Sequence, residues 1–283
     1  MRNPYVSKRR RLLLAATVVL GAYLAVIAWF AVREDSYVYF PRKGLRNADS
    51  LALGIETVSL RSLDGVMLKS WIVPASDTSN LWILYLHGNG GNISSRGYIE
   101  HYNTLRALGV NIFAVDYRGY GESEGIPSED GLYQDARAAF DYLVNARGVL
   151  PERIVIFGYS LGSAVAVHLA TEVDARAVIL EGAFTSAYRL GQAQYPFLPI
   201  SLMMRNRFDT LSKMHGVSEP KLFLHAREDE VVPFEHGTEL FAAAPEPKTF
   251  VAIRGGHNDA HSVDSAAFYG AIAEFLRSLR LHH

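Results

Sequence analysis

The 283-residue chain sets 28 Lys and Arg against 29 Asp and Glu, for a net charge of −1, has no cysteine and is 49% hydrophobic. Disulfides, a thiol nucleophile and cysteine-ligated zinc are thereby excluded, although missing thiols do not decide the compartment. The balanced charge speaks against nucleic acid as a partner, and the length beyond an apolar N-terminal segment suits one domain with a large core.

Residues 1–11 form a basic N-terminus with Arg2, Lys8, Arg9, Arg10 and Arg11, and residues 12–32 contain no Asp, Glu, Lys or Arg. A helix over those 21 residues, at about 1.5 Å per residue, reaches roughly 30 Å, the thickness of a bilayer's hydrocarbon core. The pattern predicts a transmembrane signal anchor over residues 12–32, and so a lipid bilayer as a partner, with Tyr23, Trp29 and Tyr37 near its interfaces. A cleaved signal peptide is the competing reading, but its apolar region runs about 7–15 residues to a small-x-small site, and Val26-Ile27-Ala28 matches that poorly. Positive residues stay inside, so the Lys8-Arg9-Arg10-Arg11 cluster predicts a single pass with a cytoplasmic N-terminus and a periplasmic or extracellular domain. Arg42, Lys43 and Arg46 weaken that asymmetry without reversing it. Because the cluster abuts an apolar span, topology explains it better than a nucleic-acid patch does. Residues 33–54 read as a connector in which Val38-Tyr39-Phe40-Pro41 packs on the domain at 55–283.

That domain begins with strand-like runs at 55–60 and 66–73 around the turn Asp64-Gly65, an antiparallel start after which strands and helices alternate. The apolar strand at 81–86 runs into His87-Gly88-Asn89-Gly90-Gly91-Asn92. Glycines there let the backbone approach a reacting carbonyl, so the Asn89 amide N–H is a candidate oxyanion donor. A phosphate cradle is the rival reading, but the loop lacks a Lys-Ser/Thr ending and dinucleotide spacing. The charged, Gly-rich stretch from Asp116 to Gly125 is expected to brace the site as a hydrogen-bonded loop, which sets Asp116 aside as a catalytic acid. Ser128 caps a helix running toward Gly148, whose Ala136, Ala139, Phe140 and Leu143 recur at helical spacing as core.

Next, the apolar run at 154–157, then Gly158-Tyr159-Ser160-Leu161-Gly162, then a helix-forming run at 164–170 place a serine on a strand-to-helix turn. The flanking glycines suit a turn with no room for Cβ atoms, and the helix behind it aims free N–H groups forward. Ser160 is therefore the candidate nucleophile, and the Leu161 amide the second oxyanion donor. Glu181 closes the strand at 177–180 and competes for the role of triad acid. Residues 184–219 read as a small cap carrying Tyr188, Tyr195, Phe197, Met203, Met204 and Phe208, which either covers an apolar substrate or packs on the sheet. The strand at 221–225 leads to Asp229, the preferred acid, and the strand at 249–253 leads through Gly255-Gly256 to His257, the preferred base. All lie at carboxyl ends of strands, where open α/β sheets collect their chemistry. His257 and His261 are four apart, but no Glu sits between them as in a zincin, so no metal is expected.

In chain order, Asp64-Gly65, His87-Gly88-Asn89-Gly90-Gly91-Asn92, Asp116-Tyr117-Arg118-Gly119-Tyr120-Gly121-Glu122-Ser123-Glu124-Gly125, Gly158-Tyr159-Ser160-Leu161-Gly162, Glu181-Gly182-Ala183-Phe184-Thr185-Ser186, the Asp229 segment and Gly256-His257-Asn258-Asp259 resemble the α/β-hydrolase superfamily. Within it the likeness is to the Bem46-like branch and the mammalian ABHD-type enzymes, over roughly residues 50–280. The resemblance implies an eight-stranded, mostly parallel sheet flanked by helices and a Ser160–Asp229–His257 triad. It further implies hydrolysis of acyl esters or thioesters with neither metal nor organic cofactor. Protein depalmitoylation in that family is cytosolic, which the expected topology does not reproduce, so lipidic or small acyl esters are the expected substrates. A serine peptidase of the prolyl-peptidase lineage uses the same triad, and a silent binding module would show a broken one. One departure is His225-Ala226 where the family has His-Gly, which puts the acid loop's conformation in question.

Overall fold

The computed structural model describes residues 4–77 and 79–281, so Arg2, His282 and His283 lie outside the described residues. The pattern of each strand matches its place in one sheet. In β1 (Glu56–Arg61) only Val58 and Leu60 are buried, as an edge strand with one wet face requires. In β5 (Ile154–Tyr159) every residue is buried, as a central strand covered on both faces requires. Between and beyond them run β2 (Met67–Val73), β3 (Trp82–Leu86), β4 (Asn111–Val115), β6 (Ala177–Glu181), β7 (Lys221–Ala226) and β8 (Lys248–Ile253). The eight strands are ordered β8-β7-β6-β5-β3-β4-β2-β1; β2 is antiparallel to both its neighbours and the rest are parallel.

Helices cover both faces. Apart from α1 (Pro4–Arg33), the longer ones are α2 (Arg96–Ala107), α3 (Glu129–Asp141), α4 (Leu161–Ala170), α5 (Ala187–Gln194), α6 (Phe234–Ala243) and α7 (Ser265–Leu281). Leu132, Ala136 and Phe140 of α3, with Val165 and Leu169 of α4, bury one face; Tyr102 and Leu105 of α2, with Phe268, Ile272 and Leu276 of α7, bury the other. Each such side chain stabilises the fold by about 1.5–3 kcal/mol relative to exposure. Ser128 accepts a hydrogen bond from the Gly131 amide at 3.2 Å and so caps α3, which widens into a π-turn over Tyr142–Ala146. The chain passes from β3 to β4 on one side and returns to β5 on the other, opening a crevice at the carboxyl ends of β3 and β5.

At the N-terminus, α1 leaves Leu12, Leu13, Leu14, Val18, Val19 and Leu20 bare, and its residues 8–33 are long and apolar enough to cross a bilayer. The helix ends against residues 195–197: the Tyr23 hydroxyl donates to the Phe197 carbonyl at 2.9 Å, and the Phe30 ring lies 5.2 Å from that of Tyr195. Glu34 accepts from the Asn206 and Arg205 amides at 2.7 and 2.9 Å. Burial opposes its charge, but the bonds from Asn206 and Arg205 outweigh it and hold the carboxyl below its ordinary range. After α1, Val38 and Tyr39 are buried and Phe40–Pro41 pairs in parallel with Gly90–Gly91.

Candidate active site

Ser160 sits between β5 and α4 with φ 52° and ψ −116°, a left-handed backbone that costs a non-glycine residue about 1–3 kcal/mol. Its neighbours leave no alternative: a Cβ on Gly158 would overlap the Gly162 carbonyl, and one on Gly162 would overlap the Leu86 carbonyl. The turn is locked by Ser160 N–H donating to the Glu181 carbonyl at 2.8 Å and by the Ser163 hydroxyl donating to the Ser160 carbonyl at 2.6 Å.

The structure brings Ser160, His257 and Asp229 into line. His257 Nε2 is 2.9 Å from Ser160 Oγ, and its Nδ1 is 2.7 Å from Asp229 Oδ2. Asp229 Oδ1 accepts from the Val231 and Val232 amides at 2.9 and 2.6 Å. Burial works against the Asp229 charge, but the His257 hydrogen bond and those amides outweigh it and lower the carboxyl's pKa. An ionised carboxylate only accepts, so Nδ1 carries the imidazole proton and the Nε2 lone pair faces the serine hydroxyl. Ala226 causes no difficulty: its backbone is extended, outside the left-handed region, and needs no glycine. His225, kept neutral by burial, donates Nε2–H to the Val232 carbonyl at 2.9 Å and ties the acid loop to β7.

Several supports of the histidine loop were not singled out from the sequence. Glu230 accepts from the His257 amide at 3.1 Å, Asp259 from Gly256 at 2.6 Å and Glu228 from Gly255 at 2.8 Å. The Tyr159 hydroxyl lies 3.1 Å from the His257 carbonyl. The cluster of acidic residues around Asp229 and Asn258 is the signal that was available.

The two candidate oxyanion donors face the same space. Asn89 and Leu161 line a cavity of about 500 Å³ together with Ser160. The Asn89 carbonyl accepts from the Phe40 amide at 2.9 Å and the Tyr120 hydroxyl at 2.8 Å, which fixes its peptide. Neither the Asn89 nor the Leu161 amide finds a hydrogen-bond partner among the described residues. Behind this loop, His87 donates Nδ1–H to the Gly88 carbonyl at 2.7 Å and places Nε2 3.3 Å from Asp116, which accepts from the Ile93 amide at 2.8 Å. Burial raises the Asp116 carboxyl, so its part is to brace the loop. In the same stretch, Arg118 bonds Asp135 and Asp64 at 2.8 and 2.7 Å and clamps the β1–β2 turn to α3.

Two cavities meet at Ser160. The one of about 500 Å³ is mainly apolar, walled by Phe30 and Ala31 of α1 and by Tyr195, Ile200, Met203 and Met204 of the segment between β6 and β7. The other, about 590 Å³, touches His257 and is lined by Tyr85, Tyr98, Tyr159, His101 and Glu181. Glu181 is therefore near the histidine, but the hydrogen-bond partner of Nδ1 is Asp229. Among the described residues no three His, Asp or Glu side chains converge as metal ligands.

The sequence profile described as the alpha/beta hydrolase family matches residues 83–225. An uncharacterised protein of Mycobacterium tuberculosis (strain ATCC 25618 / H37Rv) is 36% identical over 272 residues, covering 95% of this chain and 96% of its own. The alpha/beta hydrolase domain-containing protein WAV2 of Arabidopsis thaliana is 32% identical over 282 residues, covering 90% of this chain and 91% of that protein. Among solved structures, the chain is similar to an esterase of Pyrococcus furiosus, with a TM-score of 0.72 and 20% identity over 84% of this chain and 98% of the esterase. At that identity the likeness speaks for the fold.

Proposed function

The chain belongs to the alpha/beta hydrolase family, and from that premise we propose that it is a membrane-tethered serine hydrolase cleaving acyl esters or thioesters, of the Bem46-like branch whose motifs it resembles. One observation carries the reading: a serine on a strained elbow 2.9 Å from an imidazole that is itself held 2.7 Å from a buried carboxylate. In this scheme His257 takes the proton as Ser160 attacks the acyl carbonyl, and Asp229 holds the tautomer and steadies the imidazolium. The amides of Asn89 and Leu161 receive the oxyanion without reorganising. His257 then protonates the leaving group, and water releases the acyl-enzyme by the reverse sequence.

The apolar cavity suits the acyl chain, since Leu161 lies along it and Met203 and Met204 adapt to flexible apolar ligands. That α1 contributes Phe30 and Ala31 to this wall supports a retained anchor over a cleaved signal. The Lys8-Arg9-Arg10-Arg11 flank supports a cytoplasmic N-terminus with the hydrolase domain across the membrane. Fluorophosphonate labelling of the detergent-solubilised chain tests the core of this reading. Labelling that vanishes in Ser160→Ala is expected, and panels of p-nitrophenyl esters and thioesters then separate the two substrate classes. Folded protein that takes no label overturns it in favour of a binding module.

A further inference from the structure

The acylation scheme leaves one buried group without a task. Glu181 ends β6 only 7% exposed, lines the 590 Å³ cavity, and its carboxyl has neither a hydrogen-bond nor an ion-pair partner among the described residues. An unpaired carboxyl largely withdrawn from water is costly in its charged form, and a cation beside it would favour ionisation. Burial, together with the Asp229 charge, pushes it up to about 8. Among the described residues no lysine or arginine lines the cavity to pair with it.

The walls fit a cation. The rings of Tyr98 and Tyr159 meet edge to face at 6.1 Å, Tyr85 lies 5.9 Å from Tyr98, and all three line the cavity together with Glu181. Aromatic rings beside a carboxylate are the chemistry that recognises primary and quaternary ammonium groups. Location fixes which half of the substrate this concerns. His257 must protonate the departing oxygen or sulfur, and His257 lines this cavity but not the apolar one.

We propose that the cavity receives the leaving-group half of the substrate and that Glu181, with Tyr98 and Tyr159, selects a leaving group carrying an ammonium. The proposal rests on the serine-hydrolase reading of Ser160. Arrival of the cation drives the Glu181 proton into solvent and leaves a buried ion pair. Binding therefore strengthens as pH rises toward about 8, where Glu181 ionises unaided. The other titratable groups near Glu181 are Asp229, held by His257, the imidazoles of His101, His257 and His261, and the phenols of Tyr85, Tyr98, Tyr159 and Tyr269. Burial lowers His101 to about 3, which keeps that ring uncharged.

The test compares octanoylcholine with its neutral isostere 3,3-dimethylbutyl octanoate, using the full chain in detergent. Wild type is expected to favour the charged ester in kcat/KM by about tenfold or more, and Glu181→Gln to bring the ratio to near one. Calorimetry of choline against Ser160→Ala is expected to show binding that is lost in the Ser160→Ala, Glu181→Gln double variant. The ethanolamine ester separates a general ammonium site from one built for a quaternary group. Absence of a preference in wild type overturns the proposal even if Glu181→Gln does not fold, as does a preference that survives the substitution. A preference instead for alanine over propionate p-nitrophenyl esters puts the amine on the acyl side and also overturns it. A chain that takes fluorophosphonate but neither binds choline nor prefers its ester loses the subsite alone. Glu181-dependent choline binding without labelling keeps the subsite and removes the hydrolase reading.

Discussion

The ends of two neighbouring strands hold the same functional group in opposite conditions. Asp229, just past β7, accepts hydrogen bonds from an imidazole and two amides, and its pKa falls. Glu181, at the end of β6, has no such donors, and its pKa climbs to about 8. Both are buried, so burial does not separate them; the supply of donors does. In the proposed mechanism Asp229 is the anion that orients His257, and Glu181 is the carboxyl whose charge depends on what shares its cavity.

The largest test of this division is Asp229→Asn, which is expected to lower kcat by about 10⁴-fold on p-nitrophenyl octanoate, because the imidazole loses its tautomer. A loss below tenfold would mean that Glu181 takes over as the acid. Stability sharpens the comparison further. Between the unfolded carboxyl value near 4.5 and about 8, native Glu181 holds a proton that the unfolded chain releases, so its burden on the fold grows with pH across that window. Glu181→Gln is therefore expected to match wild type near pH 5 and to exceed it by on the order of 2–4 kcal/mol near pH 8 in denaturant titrations. Asp229 has the opposite sign: its stabilisation is present above the unfolded value of about 3.8 and fades as pH falls through its lowered native value. Parallel pH slopes for the two variants would dissolve the distinction. The smallest effect concerns the apolar cavity, where Phe30→Ala is expected to raise KM for decanoyl esters about threefold more than for acetyl esters.

Much of this was legible because it is local. A strand, a turn and a helix in succession mark Ser160, and a glycine pair after a strand marks the His257 loop, since backbone geometry near a residue restricts what can stand there. Seven of the eight strands are marked by short strand-like runs for the same reason, while the count of eight is what the family resemblance implies. Pairings set at ångström scale between distant segments were not legible. Sequence made Glu181 a rival of Asp229, and only the donors around each decide between them. Nothing in the chain's pattern joins Glu34 to Arg205 and Asn206, or brings Phe30 to the wall beside Ser160. Ala226 shows the converse: an unusual residue in a motif changes little where the backbone is extended.

The parallel pairing of Phe40–Pro41 with Gly90–Gly91 ties the segment after the apolar helix to the loop that follows β3. The Phe40 amide holds the Asn89 carbonyl, and the Asn89 side chain reaches back to the Val38 carbonyl at 3.1 Å. The segment after α1 and the Asn89 loop are thus joined by hydrogen bonds in both directions. A chain trimmed past Pro41 loses both bonds and with them the restraint on the Asn89 peptide, the oxyanion donor of the proposed mechanism, whereas a cut directly after the apolar helix leaves them in place.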